Sequence, residues 1–335
     1  MGQNNFVEEE LELSTLPEGR RKAEASTAEE GDHEFRQTTV PPTKGDRVLD
    51  VFIISLLIVI AIIVFYPLYI VLISSISDPS YISAGQVWLL PRGLNLEAYH
   101  ILLDTKEIWV GYRNSLMYTV GGTALQMMVT TAAGFALSRR SLPGRRWLSA
   151  MIVFTMYFSA GMIPTYLVIQ KFGMINTVWA LIVPVLVGPY NLVISRNYFE
   201  NSIPDEIYES AMMDGANMLR CFAQFAVPLA KPVLAVMVLN FALGHWNKYF
   251  EAMIYINDDS IQTLQVFIKR ITMQATATLE SPTGGVRIED VVAQVRKTQL
   301  LKYAVVVVSS VPMIILYPMI QKYFIQGIML GSVKS

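Results

Sequence analysis

Cysteine is almost missing from this chain: Cys221 stands alone among 335 residues, which excludes an internal disulfide and any Cys-x-x-Cys metal or redox pair. The three histidines, His33, His100 and His245, lie far apart in sequence, so a zinc site built from them is not expected. Charge is also scarce. Asp, Glu, Lys and Arg make up 16% of the residues and 53% are hydrophobic, whereas soluble domains carry about 25% charge. Much of the folded surface must therefore face something other than water. A formal net charge of -1 leaves no strong field to gather nucleic acid. No G-x-x-x-x-G-K-[ST] loop occurs, which removes the usual cradle for a nucleotide phosphate. No nucleophile, base or metal-ligand set clusters as a membrane enzyme would need.

What is present divides the chain in two. Residues 1–43 carry acidic clusters (Glu8, Glu9, Glu10, Glu12, then Glu29, Glu30, Asp32, Glu34) without apolar periodicity. They predict a disordered acidic tail, with neither a secretory leader's charge order nor enough apolar area to fold. Residues 44–335 predict an all-α, polytopic membrane domain. The runs 51–77, 114–137, 147–170 and 172–195 contain no charge, and 303–321 is a shorter one. The run 232–257 is interrupted by Lys248 and Glu251, which at a spacing of three can share a helix face and pair or snorkel. Each run approaches the ~20 residues a helix needs to cross a bilayer. Backbone polar groups in lipid must be satisfied internally, so six transmembrane helices are expected.

The short stretch 138–146 holds Arg139, Arg140, Arg145 and Arg146 and no acid. Such loops stay on the cytoplasmic side. That orientation puts both termini and loop 196–231 inside, and loops 78–113 and 258–302 outside, in a cytoplasmic (inner) membrane.

Loop 196–231 predicts a helix–turn–helix. Ser202 with Asp205 resembles a capping pair and Pro204 suits a first turn. A helix follows through Ile207, Ala211 and Met212. Gly215 permits a left-handed turn, and a second short helix carries Leu219, Phe222 and Phe225 before Pro228 and Pro232. The exposed edge mixes acids (Asp205, Glu206, Glu209, Asp214) with small residues (Ser210, Ala211, Ala216). A helix lying on lipid headgroups usually carries Lys and Arg instead. A protein partner fits an acidic knob better, with Glu209 available to pair an arginine in a groove.

Glu209-Ser210-Ala211, three residues, Gly215, nine residues, Phe225, one residue, then Pro228 after Val227 resembles the EAA loop of binding-protein-dependent ABC import permeases. Ser210, Phe225 and Val227 depart conservatively from that pattern, and the spacing is intact. The resemblance extends over roughly 45–335. It includes Asn114-Ser115-Leu116, Ala136-Leu137-Ser138-Arg139, Pro164-Thr165-Tyr166, Gly173 to Thr177, Gly244-His245-Trp246-Asn247 and Tyr317-Pro318. It is strongest to maltose-type carbohydrate permeases, in the lipoprotein/YtcP-like branch associated with complex or uronate-containing oligosaccharides.

The resemblance implies a type I ABC importer permease core, with alternating access driven from outside this chain. Glu209, Ser210, Ala211, Asp214, Gly215 and Ala216 are then the residues that couple to an ATPase subunit, and a tail with Gly331 and Lys334 reaches toward the ATPase pair. The implied partners are a second permease, two copies of an ABC ATPase holding ATP and Mg, an extracytoplasmic solute-binding protein and a carbohydrate. The chain itself is expected to be no enzyme and to hold no cofactor or metal. Sugars favour aromatic faces and amides, which nominates Tyr157, Tyr166, Tyr190, Asn191, Asn240, Trp246, Asn247 and Tyr249 for the substrate path. The same residues also suit interhelical hydrogen bonds and interface anchors. Gly121-Gly122 suits close helix packing, and His245 is a candidate proton relay. An ion-gradient transporter would need intramembrane acids, and only Glu251 near one end qualifies; a non-transporting scaffold is the other alternative.

Overall fold

The computed structural model describes residues 44–280 and 288–332. The expected tail 1–43 and Lys334 lie outside the described residues. Every described element is a helix: α1 (Lys44–Ser75), α2 (Pro79–Ser83), α3 (Glu97–Asp104), α4 (Lys106–Ser138), α5 (Arg145–Tyr157), α6 (Met162–Lys171), α7 (Trp179–Ile182), α8 (Pro189–Asn201), α9 (Asp205–Met213), α10 (Met218–Cys221), α11 (Val227–Leu229), α12 (Lys231–Trp246), α13 (Phe250–Tyr255), α14 (Leu264–Glu280) and α15 (Ile288–Ser332), with short 3-10 and π segments between them.

The chain divides into two units, 1–65 and 66–335. The described part of the first is the opening of α1, where Phe52, Ile54, Leu57 and Ile58 are all exposed. Apolar side chains on every face fit a helix surrounded by lipid.

In the second unit α4 is the hub, packed against α8, α12 and α14. Its sequence explains why. The buried positions include Gly111, Ser115, Thr119, Gly122, Gln126, Thr130, Gly134 and Ser138, all but Gln126 small or hydroxylated and recurring every three to four. Small residues let helix backbones approach closely where lipid gives no hydrophobic drive. Three glycines mark the crossings, and a Cβ at the first, Gly111, would stand 2.8 Å from the Phe267 ring of α14. A Cβ at Gly122 would stand 2.6 Å from the His245 ring of α12, and one at Gly134 would collide with Ser195 of α8. Gly121, the neighbour read with Gly122 as a packing pair, faces open space.

Among the described residues, three helices are long and apolar enough to cross a membrane, or up to five if each bent pair counts once. The runs 51–77, 114–137 and 303–321 fall mainly inside α1, α4 and α15, respectively. The other three are broken. The run 147–170 divides into α5 and α6, because the chain turns at Gly161, whose φ of 80 and ψ of 178 no other residue type adopts freely. The run 172–195 bends by 47° between Trp179–Val185 and Pro189–Asn201. The run 232–257 stops at Trp246 and resumes at Phe250. Lys248 therefore sits in a break and Glu251 in α13, so they do not share a helix as expected. The Lys248 amine donates instead to the Leu181 carbonyl at 2.5 Å, satisfying an acceptor where the α7 segment bends.

At one end of this unit α3 and α2 pack on α15, bringing the loops 78–113 and 258–302 together. Asp78 caps α2 by accepting from the Ser80 amide at 2.9 Å and its hydroxyl at 2.6 Å. Arg296 of α15 pairs with the other carboxylate oxygen at 2.8 Å. The Ser80 hydrogen bonds, and then Arg296, hold the Asp78 carboxyl below its ordinary 3.8. A depressed carboxyl pKa contributes stability that is full above 3.8 and is lost as pH falls through the folded value. Acidification below pH ~4 is expected to release the α2–α15 clasp. Hydrogen exchange at the Ser80 amide checks this. Asp78→Asn should remove the acid step, and an unchanged pH profile in that variant counts against it.

Candidate functional site

The knob predicted in loop 196–231 forms at the end of α8. Its first helix, α9, is capped differently from the expectation. Pro204 is the N-cap, and Ser202 and Asp205 make no capping bond. Ser202 instead ends α8, its amide bonding the Tyr198 carbonyl. Asp205 and Glu206 occupy the first turn of α9, where acids complement the helix dipole.

The other end of α9 closes as a Schellman motif. The Ala216 amide donates to the Ala211 carbonyl at 2.9 Å and the Gly215 amide to Met212 at 3.0 Å. Gly215 supplies the required left-handed residue, with φ +82. Asn217 then caps α10, accepting from the Arg220 amide at 2.8 Å. A π segment Phe222–Ala226 and α11 follow, and the chain turns by 82° into α12. The second helix of the knob thus runs from Met218 to Leu229 through the π segment, and Leu219 faces outward, 73% exposed.

The knob has its own core: Tyr208, Ala211, Cys221, Ala226 and Ala230 pack with Phe135, Phe199 and Ile203. Ala211 is buried there, so of the six nominated coupling residues it faces inward. Ala216 is half-buried, and Glu209, Ser210, Asp214 and Gly215 are exposed. Glu209 makes no hydrogen bond or ion pair among the described residues. Around Gly215 an added Cβ would meet nothing within 4 Å. Met212 and Met213, the latter 89% exposed, complete this tip and were not nominated. Their signal was available, since two adjacent methionines beside the glycine turn offer the adaptable apolar contact that partner surfaces use.

Two arginines of the basic stretch 138–146 hold the knob's base. Arg139, the C-cap of α4, donates to Asp205 at 3.1 Å and to the Phe199 carbonyl at 3.0 Å. Its guanidinium lies 4.2 Å from the Tyr208 ring centroid and 5.1 Å from that of Phe135. Arg145 donates to the Leu137 carbonyl at 2.7 Å and pairs with Glu200 at 2.5 Å. The basic stretch and the acidic knob thus share one end of the bundle.

The nominated path residues do not converge. Asn240 and Asn247 are both exposed with Gly244 on one face of α12. Trp246 is buried in the core, its indole donating to the Ser309 carbonyl at 3.1 Å. Trp246 and Asn247 also border a cleft of about 630 Å³, with Gln265, Ser309, Ser310 and Tyr317. Tyr166 stacks on Tyr255, Tyr249 packs edge-on to Phe250, and Tyr157 and Tyr190 are exposed elsewhere. Asn191 is half-buried on α8. His245 is buried against Gly122 and hydrogen-bonds Gln126 at 3.1 Å, which makes it an interhelical tie between α12 and α4.

A hub helix of small residues thus ends in an acidic knob closed by glycine on an arginine base. Comparison with known proteins decides the family. The chain is 36% identical over 290 residues to the polygalacturonan/rhamnogalacturonan transport system permease YtcP of Bacillus subtilis, covering 87% of this chain and 99% of the relative. The protein LplC of the same organism is 35% identical over 297 residues, covering 89% and 98%. The crystal structure of a bacterial ABC transporter that imports the acidic polysaccharide alginate matches with a TM-score of 0.74 and 33% identity, over 84% of this chain and 98% of that one. The chain belongs to the sugar ABC importer permeases. No protein-family model matches it. This permease is an integral membrane component without ATPase activity of its own, which resides on a separate subunit. Its membership implies an ATPase and a binding protein as working partners.

Proposed function

We propose that this permease forms half of the path for an acidic, uronate-containing oligosaccharide in the cytoplasmic membrane, beside a second, homologous permease. Two ATPase copies, loaded with ATP and Mg, dock at the basic-loop end. Glu209, Ser210, Asp214 and Gly215 are the docking surface, joined by the tail with Gly331 and Lys334. The binding protein delivers substrate at the opposite end, against loops 78–113 and 258–302. Six crossings result if the broken pairs α5–α6, α7–α8 and α12–α13 each traverse once, with both termini cytoplasmic. The substrate path runs along the exposed amides of α12, Asn240 and Asn247.

The observation that carries this reading is the exposed acidic tip around Gly215, whose Glu209 side chain has no hydrogen bond or ion pair among the described residues. The substrate class is supported by the names of two relatives at 36% and 33% identity, a polygalacturonan/rhamnogalacturonan permease and a transporter involved in the import of the acidic polysaccharide alginate, whereas relatives at 25–26% identity are named for neutral sugars such as raffinose and maltose. The test is ATP hydrolysis by the reconstituted four-component complex against a panel of oligogalacturonates, alginate oligomers and neutral maltodextrins. Stimulation by the uronates alone is expected. Stimulation by the neutral sugars alone would overturn the substrate class, and no association with the ATPase would overturn the docking surface.

A further inference from the structure

We propose that Arg139 is the positioning residue that makes the knob and the hub helix move as one body. The inference rests on the reading that an ATPase docks on the knob, and concerns what happens to the push after it arrives. The knob reaches the rest of the fold through the chain itself and through the contacts at its base. Among the described residues, Arg139 at the end of α4 is the charged group of that base that contacts both α8 and α9. Arg139 is 9% exposed. Each part of its guanidinium group is engaged on a different element: Nε on Ser138 of α4 at 3.0 Å, one terminal nitrogen on Asp205 of α9, the other on the Phe199 carbonyl of α8.

A planar fork held at three points resists rotation as a single-point lysine does not. The rings beneath it add stiffness. Phe135 of α4 packs on Phe199 of α8 at 5.7 Å, on Tyr208 of α9 at 5.8 Å and on Phe222 of the π segment at 5.1 Å. Arg139 lies over two of these four rings, Phe135 of α4 and Tyr208 of α9, so cation–π contact joins two of the three elements its hydrogen bonds join. From there α4 carries any displacement along its length to the crossings with α12 and α14. A helix packed at this density passes displacement on rather than absorbing it. The basic residue that the positive-inside pattern requires at this loop has therefore acquired a mechanical task.

The experiment uses the assembled complex in nanodiscs, with nitroxide labels at exposed Leu219 in the knob and exposed Leu116 in α4. Distances are measured by pulsed electron resonance without nucleotide and after trapping with ATP and vanadate. In the parent the knob–α4 distance should stay constant between the two states. In Arg139→Ala it should shift or broaden on trapping, with the ATPase still bound, and uptake per ATP of the sugar that stimulates the parent should fall about tenfold or more. Arg139→Lys, which keeps charge but not the fork, should fall between. Asp205→Asn cuts one exposed contact with little risk to folding, and should show a smaller change of the same kind. A constant distance in both Arg139→Ala and Asp205→Asn, or a parent whose own distance changes on trapping, overturns the proposal. Loss of the bound ATPase in Arg139→Ala also overturns it, since Arg139 would then only shape the knob. Failure of the docking reading looks different: a Gly215→Trp complex would keep its ATPase and its uptake.

Discussion

Gly215→Trp is expected to abolish uptake while leaving the permease folded and inserted. The residue sits at φ +82 with open space where a side chain would go. Within the chain, then, the substitution meets no neighbour. Its local cost is the left-handed backbone of an L-residue, about 1–2 kcal/mol. That cost is common to any non-glycine residue, so Gly215→Asn, which tolerates the conformation, is the control. The difference between the two variants isolates the bulk presented to the docked partner. Central contacts in interfaces are worth about 2–4 kcal/mol, which converts to roughly 30–1000-fold in affinity. Co-purification of the ATPase and sugar uptake in proteoliposomes are the measurements. Glu209→Lys, at the exposed face beside it, should lose uptake in the same direction. A Trp variant that transports as well as the Asn variant removes Gly215 from the interface.

The second large effect is expected at adjacent glycines of α4. Gly122→Leu should prevent accumulation of folded permease, whereas Gly121→Ala should leave it intact. At 122 even a Cβ falls 2.6 Å from the His245 ring, and that ring is fixed by its hydrogen bond to Gln126. Overpacking a tight crossing costs about 1–3 kcal/mol or more, and here it would also break a buried polar tie. At 121 there is nothing within 4 Å, and alanine is the better helix former by about 1 kcal/mol. Thermal unfolding in detergent, with yield from membranes, separates them. Equal midpoints would mean that the α4–α12 crossing yields more easily than its contact geometry implies.

The knob was legible because its signals are local. Gly215 announces a left-handed turn whatever surrounds it, and acids on a short amphipathic helix exclude a headgroup partner. The breaks in the apolar runs were harder to read. A stretch such as 147–170 carries no charged residue to mark where lipid ends, and Gly161 acts through backbone angles that composition does not encode. Lys248 was assigned an ionic partner by spacing along an unbroken helix, and the break removed that helix. Trp246 shows the limit of residue type as a guide to sugar contact. Its indole has a carbonyl partner and a packed ring, so it is mostly interior. The arginines were read for topology alone. Their carbonyl and carboxylate partners come from Phe199, Glu200 and Asp205, about sixty residues away in sequence, and only the tertiary fold brings them together.

The burial of Cys221 has a practical consequence. The one thiol in the sequence is sealed inside the knob, with 0% of its surface accessible. A maleimide should therefore react with the native protein only when α9 and α10 part. Alkylation kinetics thus become a clock for the breathing of this element, and its arrest on adding the motor subunit would time the grip without a single engineered residue.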